Sequence, residues 1–164
     1  MHIINDINGG SEELFKLTKK YNAGLFLMHK RGTPKDMQKK LNPRANMVKE
    51  FDKFIEKRLK ILGKMKFNLK KVWFDPGIGF GKTLNQNLQL MRSLSKYSHK
   101  NLQILLGSSR KSWINFIDPS NADQRIGGSL ASITHALQQN VNTFRIHDVQ
   151  ETNQMIKVLK ALNK

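Results

Sequence analysis

The sequence predicts an α/β fold in which parallel strands are joined by crossover helices. Two observations carry this expectation. Short apolar runs rich in β-formers alternate five times with stretches whose apolar residues recur at helical spacing, and no linker or change of composition divides the 164 residues. A third observation bears on function: polar and glycine-rich residues gather at the C-terminal ends of the runs, while the returns from helix to strand are bland. Ligands bind at that end both in an α/β barrel and in a doubly wound sheet, so this pattern leaves both architectures open.

The first run is His2 to Ile7. It leads through Asn8, Gly9 and Gly10 to Ser11, which can cap a helix carrying Glu12 and Glu13 in its first turn. The second run is Gly24 to Met28, followed by a long polar loop. A helix over 47–64 then shows Val48, Phe51, Phe54, Ile55, Leu59 and Leu62 at helical spacing. The third run, Val72 to Phe74, ends at Asp75, with a helix expected over 84–95. The fourth, Leu102 to Leu106, ends in the stretch GSSRKS, and the next helix carries Leu130, Ile133, Ala136 and Leu137 on one face. The fifth, Thr143 to Ile146, ends at His147 and Asp148, ahead of a last amphipathic helix through Met155, Ile156, Leu159 and Leu162. One domain over residues 1–164 is expected, with 38% apolar residues to form its core.

The chain has no cysteine, which excludes disulfides and thiolate metal sites. It also has no apolar run near the roughly 18 residues of a membrane span and no signal-peptide layout. The reading is of a cytoplasmic protein that does not engage a membrane. The net charge is +17, and 22 of the 29 basic residues are Lys, scattered without the aromatic interleaving or Arg clusters that base recognition uses. Most of this charge therefore reads as solvated surface, and no specific nucleic-acid partner is expected.

The stretch DPGIGFGKT, residues 75–83, is the densest motif. It is not a P-loop, because Pro76 stands where that motif needs its first glycine, and not a dinucleotide fingerprint, because Lys82 stands in place of the third. Asp75 is open to two readings: an Asx turn ahead of glycines, or a carboxylate that accepts paired N–H donors from a heterocycle. In the second reading the glycines let a ligand approach the backbone and Phe80 offers a ring face. The Ser108–Ser112 stretch could supply cations and hydroxyls to an anion, or simply cap a helix. Arg145 and His147 sit two residues apart on a short strand, so they share one side and suggest a clamp for phosphate or diphosphate. His29 with Arg31 could join them or be loop polarity, while His99 and His135 read as helix surface or packing. No His and acid pair has the spacing of a zinc site.

Taken in order, IINDINGG, LFLMHKRGTPKDMQ, DPGIGFGKT, LLGSSRKSWI and RIGGSLA with FRIHDVQET resemble bacterial dihydropteroate synthase over essentially the whole chain. The resemblance implies a TIM barrel that joins 6-hydroxymethyl-7,8-dihydropterin diphosphate to 4-aminobenzoate and releases pyrophosphate with Mg²⁺ assistance. By position it implies that Asn5 and Asp75 meet the pterin edge. Met28, Gly79 and Gly107 would line the ring pocket, and Lys111 would reach over the pterin. Arg145 and His147 would hold the departing diphosphate, while Phe80, Ser109 and the backbone after Arg110 would form the aminobenzoate side. It runs over strands four to eight of the family's eight, so the chain reads as an N-terminally truncated barrel. The family's metal-binding Asn falls outside it. A homodimer, or a complementing N-terminal chain, is the implied partner. The alternative is a non-catalytic pterin-binding module that needs a partner chain.

Overall fold

Every strand pairs in parallel with its sequence neighbour. The computed structural model describes residues 2–32, 41–98, 100 and 102–163. The strands are β1 (Ile3–Asp6), β2 (Gly24–Met28), β3 (Val72–Asp75), β4 (Gln103–Leu106) and β5 (Thr143–Phe144), in the order β1-β2-β3-β4-β5. The helices are α1 (Glu12–Lys20), α2 (Met47–Lys64), α3 (Leu84–Arg92), α4 (Ser95–Ser98), α5 (Ser112–Asn115), α6 (Ile126–Gln138) and α7 (Val149–Leu162). A doubly wound sheet reverses its strand order at a switch point, and this one never does. It is a run of consecutive barrel staves, a partial TIM barrel.

Local chemistry sets the helix starts, at Ser11 as expected and at two further caps that the structure adds. Ser11 accepts from the Leu14 N–H, Asn46 accepts from the Lys49 N–H, and Thr83 and Gln86 form a reciprocal capping box. The Gln86 amide also donates to the carbonyls of Asn42 and Ala45, which ties the loop before α2 to α3.

Alternation along the strands separates two faces. Leu25, Leu27, Val72, Phe74, Ile104 and Leu106 form one buried cluster with Phe15 of α1, Phe51, Ile55 and Leu62 of α2, Leu90 of α3 and Ala136 of α6. Each such side chain contributes about 1.5–3 kcal/mol when fully buried, so this outer layer carries the fold. The alternate set faces the inside of the curve. Asn5 pairs with Phe26, Phe26 with Trp73 and Trp73 with Gln103, and the Phe26 and Trp73 rings meet edge to face at 5.3 Å. This inner layer is half-exposed, and Ile3 reaches 39%.

Several boundaries differ from the sequence expectation. β1 and β4 are shorter than the apolar runs, and β5 ends at Phe144 rather than Ile146, because β4 stops at Leu106 and offers no ladder beyond it. The Arg145 N–H still donates to the Leu106 carbonyl at 2.9 Å. The helix expected over 84–95 breaks after Arg92 and restarts as α4. α7 is less buried than its pattern implies: Met155 and Ile156 are half-buried but Leu162 is exposed, since its packing partner among the described residues is chiefly α6. His99 lies outside the described residues, as do residues 33–40, which include the end of the second motif. No described helix is long and apolar enough to cross a membrane.

Candidate active site

Asp75 ends β3 with only 1% of its surface exposed. Both readings of this residue have a physical basis. One carboxylate oxygen accepts the Gly77 N–H at 2.7 Å, which is the Asx turn, and the group is also encircled by cations. Burial pushes its pKa up, while Lys111, the Gly77 N–H, Arg145 and Lys82 pull it down. Met28 pairs directly across from Asp75 and is fully buried beside it. Asn5 stands one layer lower on β1, exposed on the inner face.

The glycines after Asp75 bring two loops into contact. Gly77 has φ +64°, and a Cβ there would overlap the carbonyl oxygen of His29. Gly79 donates to the Asn87 side chain at 2.8 Å, and the Asn87 amide donates on to the Thr83 carbonyl. Lys111 reaches over from the β4 loop, donating to the Ile78 carbonyl at 2.5 Å with its ammonium 4.5 Å from the centre of the Phe80 ring. Burial lowers its pKa to about 8, against the pull of Asp75.

On the other flank the Arg145 guanidinium lies against Gly107, where a Cβ would stand 2.9 Å from it. His147 meets the next residue but one, its Nδ1 3.1 Å from the Ser109 hydroxyl. The two side chains thus approach the end of β4 at alternate positions, as the same-side expectation required, although they lie past the end of β5. Ser108 and Ser109 are not helix caps: Ser108 shares a hydrogen bond with Ser132, and Ser109 serves His147. The Arg110 guanidinium is held in a two-point ion pair by Asp148. That pairing keeps the Asp148 carboxyl below the usual range.

Three participants were not legible in the sequence. Lys82 appeared only as the tail of a failed phosphate loop, yet it is 3% exposed, with its ammonium buried beside Asp75. Asn87 and Asp148 are the anchors of Gly79 and Arg110, and neither motif nor periodicity distinguishes them from ordinary helix-start residues. His29 does not join the anion-facing cations. It is 7% exposed, its ring lies 5.5 Å from Phe54 and 5.9 Å from Phe51, and burial beside Lys82 and Arg31 lowers its pKa to about 3.

A partial α/β barrel whose strand ends gather one buried carboxylate, a ring-stacked lysine and an arginine with a histidine offers an acceptor for N–H groups beside donors for an anion. Residues 1–147 match the family described as pterin binding enzyme, and the chain belongs to that family. It is 35% identical to dihydropteroate synthase of Escherichia coli over 162 residues, which is 98% of this chain and 57% of that protein. The crystal structure of Yersinia pestis dihydropteroate synthase with a sulfonamide drug superposes with a TM-score of 0.90 at 32% identity, covering 99% of this chain and 59% of that one. The Thermus thermophilus dihydropteroate synthase in complex with 4-aminobenzoate gives 0.88 at 30% identity, covering 99% and 66%. The chain therefore spans somewhat over half the length of these relatives.

Proposed function

We propose that this chain forms the pterin-holding wall of a dihydropteroate synthase, condensing 6-hydroxymethyl-7,8-dihydropterin diphosphate with 4-aminobenzoate to give 7,8-dihydropteroate and pyrophosphate. The observation that carries the reading is the buried Asp75 carboxylate at the end of β3, with Lys111, Arg145 and Lys82 around it. A carboxylate held this way can accept two N–H donors from the amino and ring nitrogens of a pterin. As the bond from the methylene carbon to the diphosphate oxygen breaks, positive charge spreads into the heterocycle and Asp75 stabilises it. The aniline nitrogen of 4-aminobenzoate forms the new C–N bond and then loses a proton. It is nucleophilic already, so no strong general base is needed.

Arg145 and His147 would meet the departing diphosphate with charge-assisted donors. Lys111 bridges the two flanks, close to Asp75 and above the Phe80 ring, where it can cover the pterin. Arg110, held by Asp148, acts through its backbone and its loop. The Mg²⁺ that the resemblance implies does not fit these residues. Among the described residues no group of three or more His, Asp or Glu could hold a metal, and the end of the sheet is dominated by cations. In this reading the ion's protein ligands lie elsewhere.

One observation favours a second reading: the half-exposed inner layer of Ile3, Phe26 and Trp73. It suits a pterin-binding module that works against a partner, a second copy or a complementing chain. Calorimetry of the chain with 6-hydroxymethylpterin, followed by a turnover assay with both substrates and Mg²⁺, tests both. Saturable binding that Asp75→Asn removes is expected, and a folded chain with no pterin affinity would overturn the proposal. Binding without turnover selects the module, and product formation selects the enzyme.

A further inference from the structure

Lysines on loops normally keep their ammonium in water. Lys82 does not: it lies 3% exposed in the loop between β3 and α3. All three of its N–H donors are used, on the carbonyls of Gly77 at 2.9 Å, Phe80 at 3.1 Å and His29 at 3.1 Å. The first two belong to its own loop, and the third belongs to the loop after β2. Three carbonyl oxygens converging in a dry site repel one another, and only a multiple donor makes that arrangement stable. Neutral methylene chain or a single hydroxyl could not. The absence of a side chain at Gly77 lets the His29 carbonyl close on this hub.

We propose that Lys82 is a positioning residue of the pterin pocket: its buried ammonium gathers the carbonyls of Gly77, Phe80 and His29, locks the β2 and β3 loops together, and thereby sets where Asp75 and Phe80 stand. The proposal rests on the reading of Asp75 as the pterin-edge carboxylate. Three of the hub's neighbours are directly constrained by it. The Gly77 N–H closes the Asp75 turn, the Phe80 ring takes Lys111, and the His29 N–H donates to the Asp75 carbonyl at 2.9 Å.

The charge gives a signature that packing alone would lack. Desolvation lowers the Lys82 pKa to about 7, with Asp75 and Glu50 opposing it and Lys111 and Arg31 adding to it. Opening the loops returns the ammonium to water, where its pKa is near 10.5, so opening takes up a proton. Burying the ammonium therefore carries a cost that the three carbonyls offset, and all three donors are present together only below about pH 7.

The test is amide hydrogen exchange at Gly77, Gly79, Phe80 and His29, corrected for intrinsic rates, on the wild-type chain and on Lys82→Met and Lys82→Gln. Expected are at least tenfold faster exchange at these amides in Lys82→Met, an intermediate effect in Lys82→Gln, and unchanged exchange in the central strands. Equal protection in all three proteins would overturn the hub, and Lys82→Gln, which keeps a donor on a side chain of similar reach, supplies the comparison where Lys82→Met does not fold. Calorimetry with 6-hydroxymethylpterin then separates the two claims. At least tenfold weaker binding by Lys82→Met supports the positioning role, and unaltered affinity sinks it. A wild-type chain that binds no pterin fails the functional reading, and the exchange data still decide the hub.

Discussion

The carbonyl oxygen of His29 occupies the space that a side chain on Gly77 would need. Two loops from neighbouring strands therefore touch backbone to backbone next to Asp75. Gly77→Ala must both displace that carbonyl and hold a left-handed φ, which together destabilise by about 2–4 kcal/mol. Thermal or urea unfolding should show this loss, along with lost pterin binding. Gly79→Ala is the control: it shares a positive φ, but its Cβ would meet only the Lys111 side chain at 3.4 Å, so about 1 kcal/mol is expected.

Asp75→Asn should separate stability from ligand binding. The Asn side-chain oxygen can still accept the Gly77 N–H, and the replacement removes a charge whose burial raises its pKa. A carboxylate with a raised folded-state pKa opposes folding at neutral pH when ionised. The variant should therefore unfold at or above the wild-type denaturant midpoint, yet bind pterin at least tenfold more weakly. A clear loss of stability would show instead that Asp75 serves as the counter-ion for Lys82 and Lys111.

His29 makes acid sensitivity a property of the pocket wall. Its Nδ1 is buried without a hydrogen-bond partner, and its pKa falls from 6.5 to about 3 on folding. The unfolded chain thus binds more protons between those values, and stability drops as pH falls from 6.5 toward 3. The full effect is at most about 5 kcal/mol. His29→Phe, placed among Phe51 and Phe54, should flatten the fall in melting temperature between pH 6.5 and 4.5. An unchanged slope would mean that the ring is already charged in the folded chain.

The two tryptophans report on the two faces. Trp113 is 7% exposed and donates to the Ser108 carbonyl, whereas Trp73 is half-buried on the inner layer. In single-tryptophan variants, acrylamide should quench Trp73 several-fold more efficiently than Trp113. Equal protection of Trp73 would reveal that another surface covers the inside of the curve, and sedimentation would then identify a second copy.

The sequence made the alternation of strands and helices readable because each helix packs a periodic apolar face on one side of the sheet. It also placed Asp75, Lys111, Arg145 and His147 at strand ends, because their positions in the chain relative to each apolar run decide that. It could not choose between barrel and doubly wound sheet by pattern, since strand order is a long-range property. Lys82 was hidden for a related reason: its partners are backbone carbonyls, which every residue has, and their convergence depends on where two loops meet. The partner of Arg110 was hidden in the same way, because Asp148, which holds its guanidinium, lies 38 positions along the chain.

The curved sheet draws its hydrophobic support from the helix side, while Phe26 and Trp73 on the hollow side meet edge to face and stay half-buried. Residues toward the helices carry the fold, and Phe26 and Trp73 in the hollow are left half-buried to meet whatever surface closes the curve. A substitution in the hollow therefore tests docking, and one toward the helices tests folding.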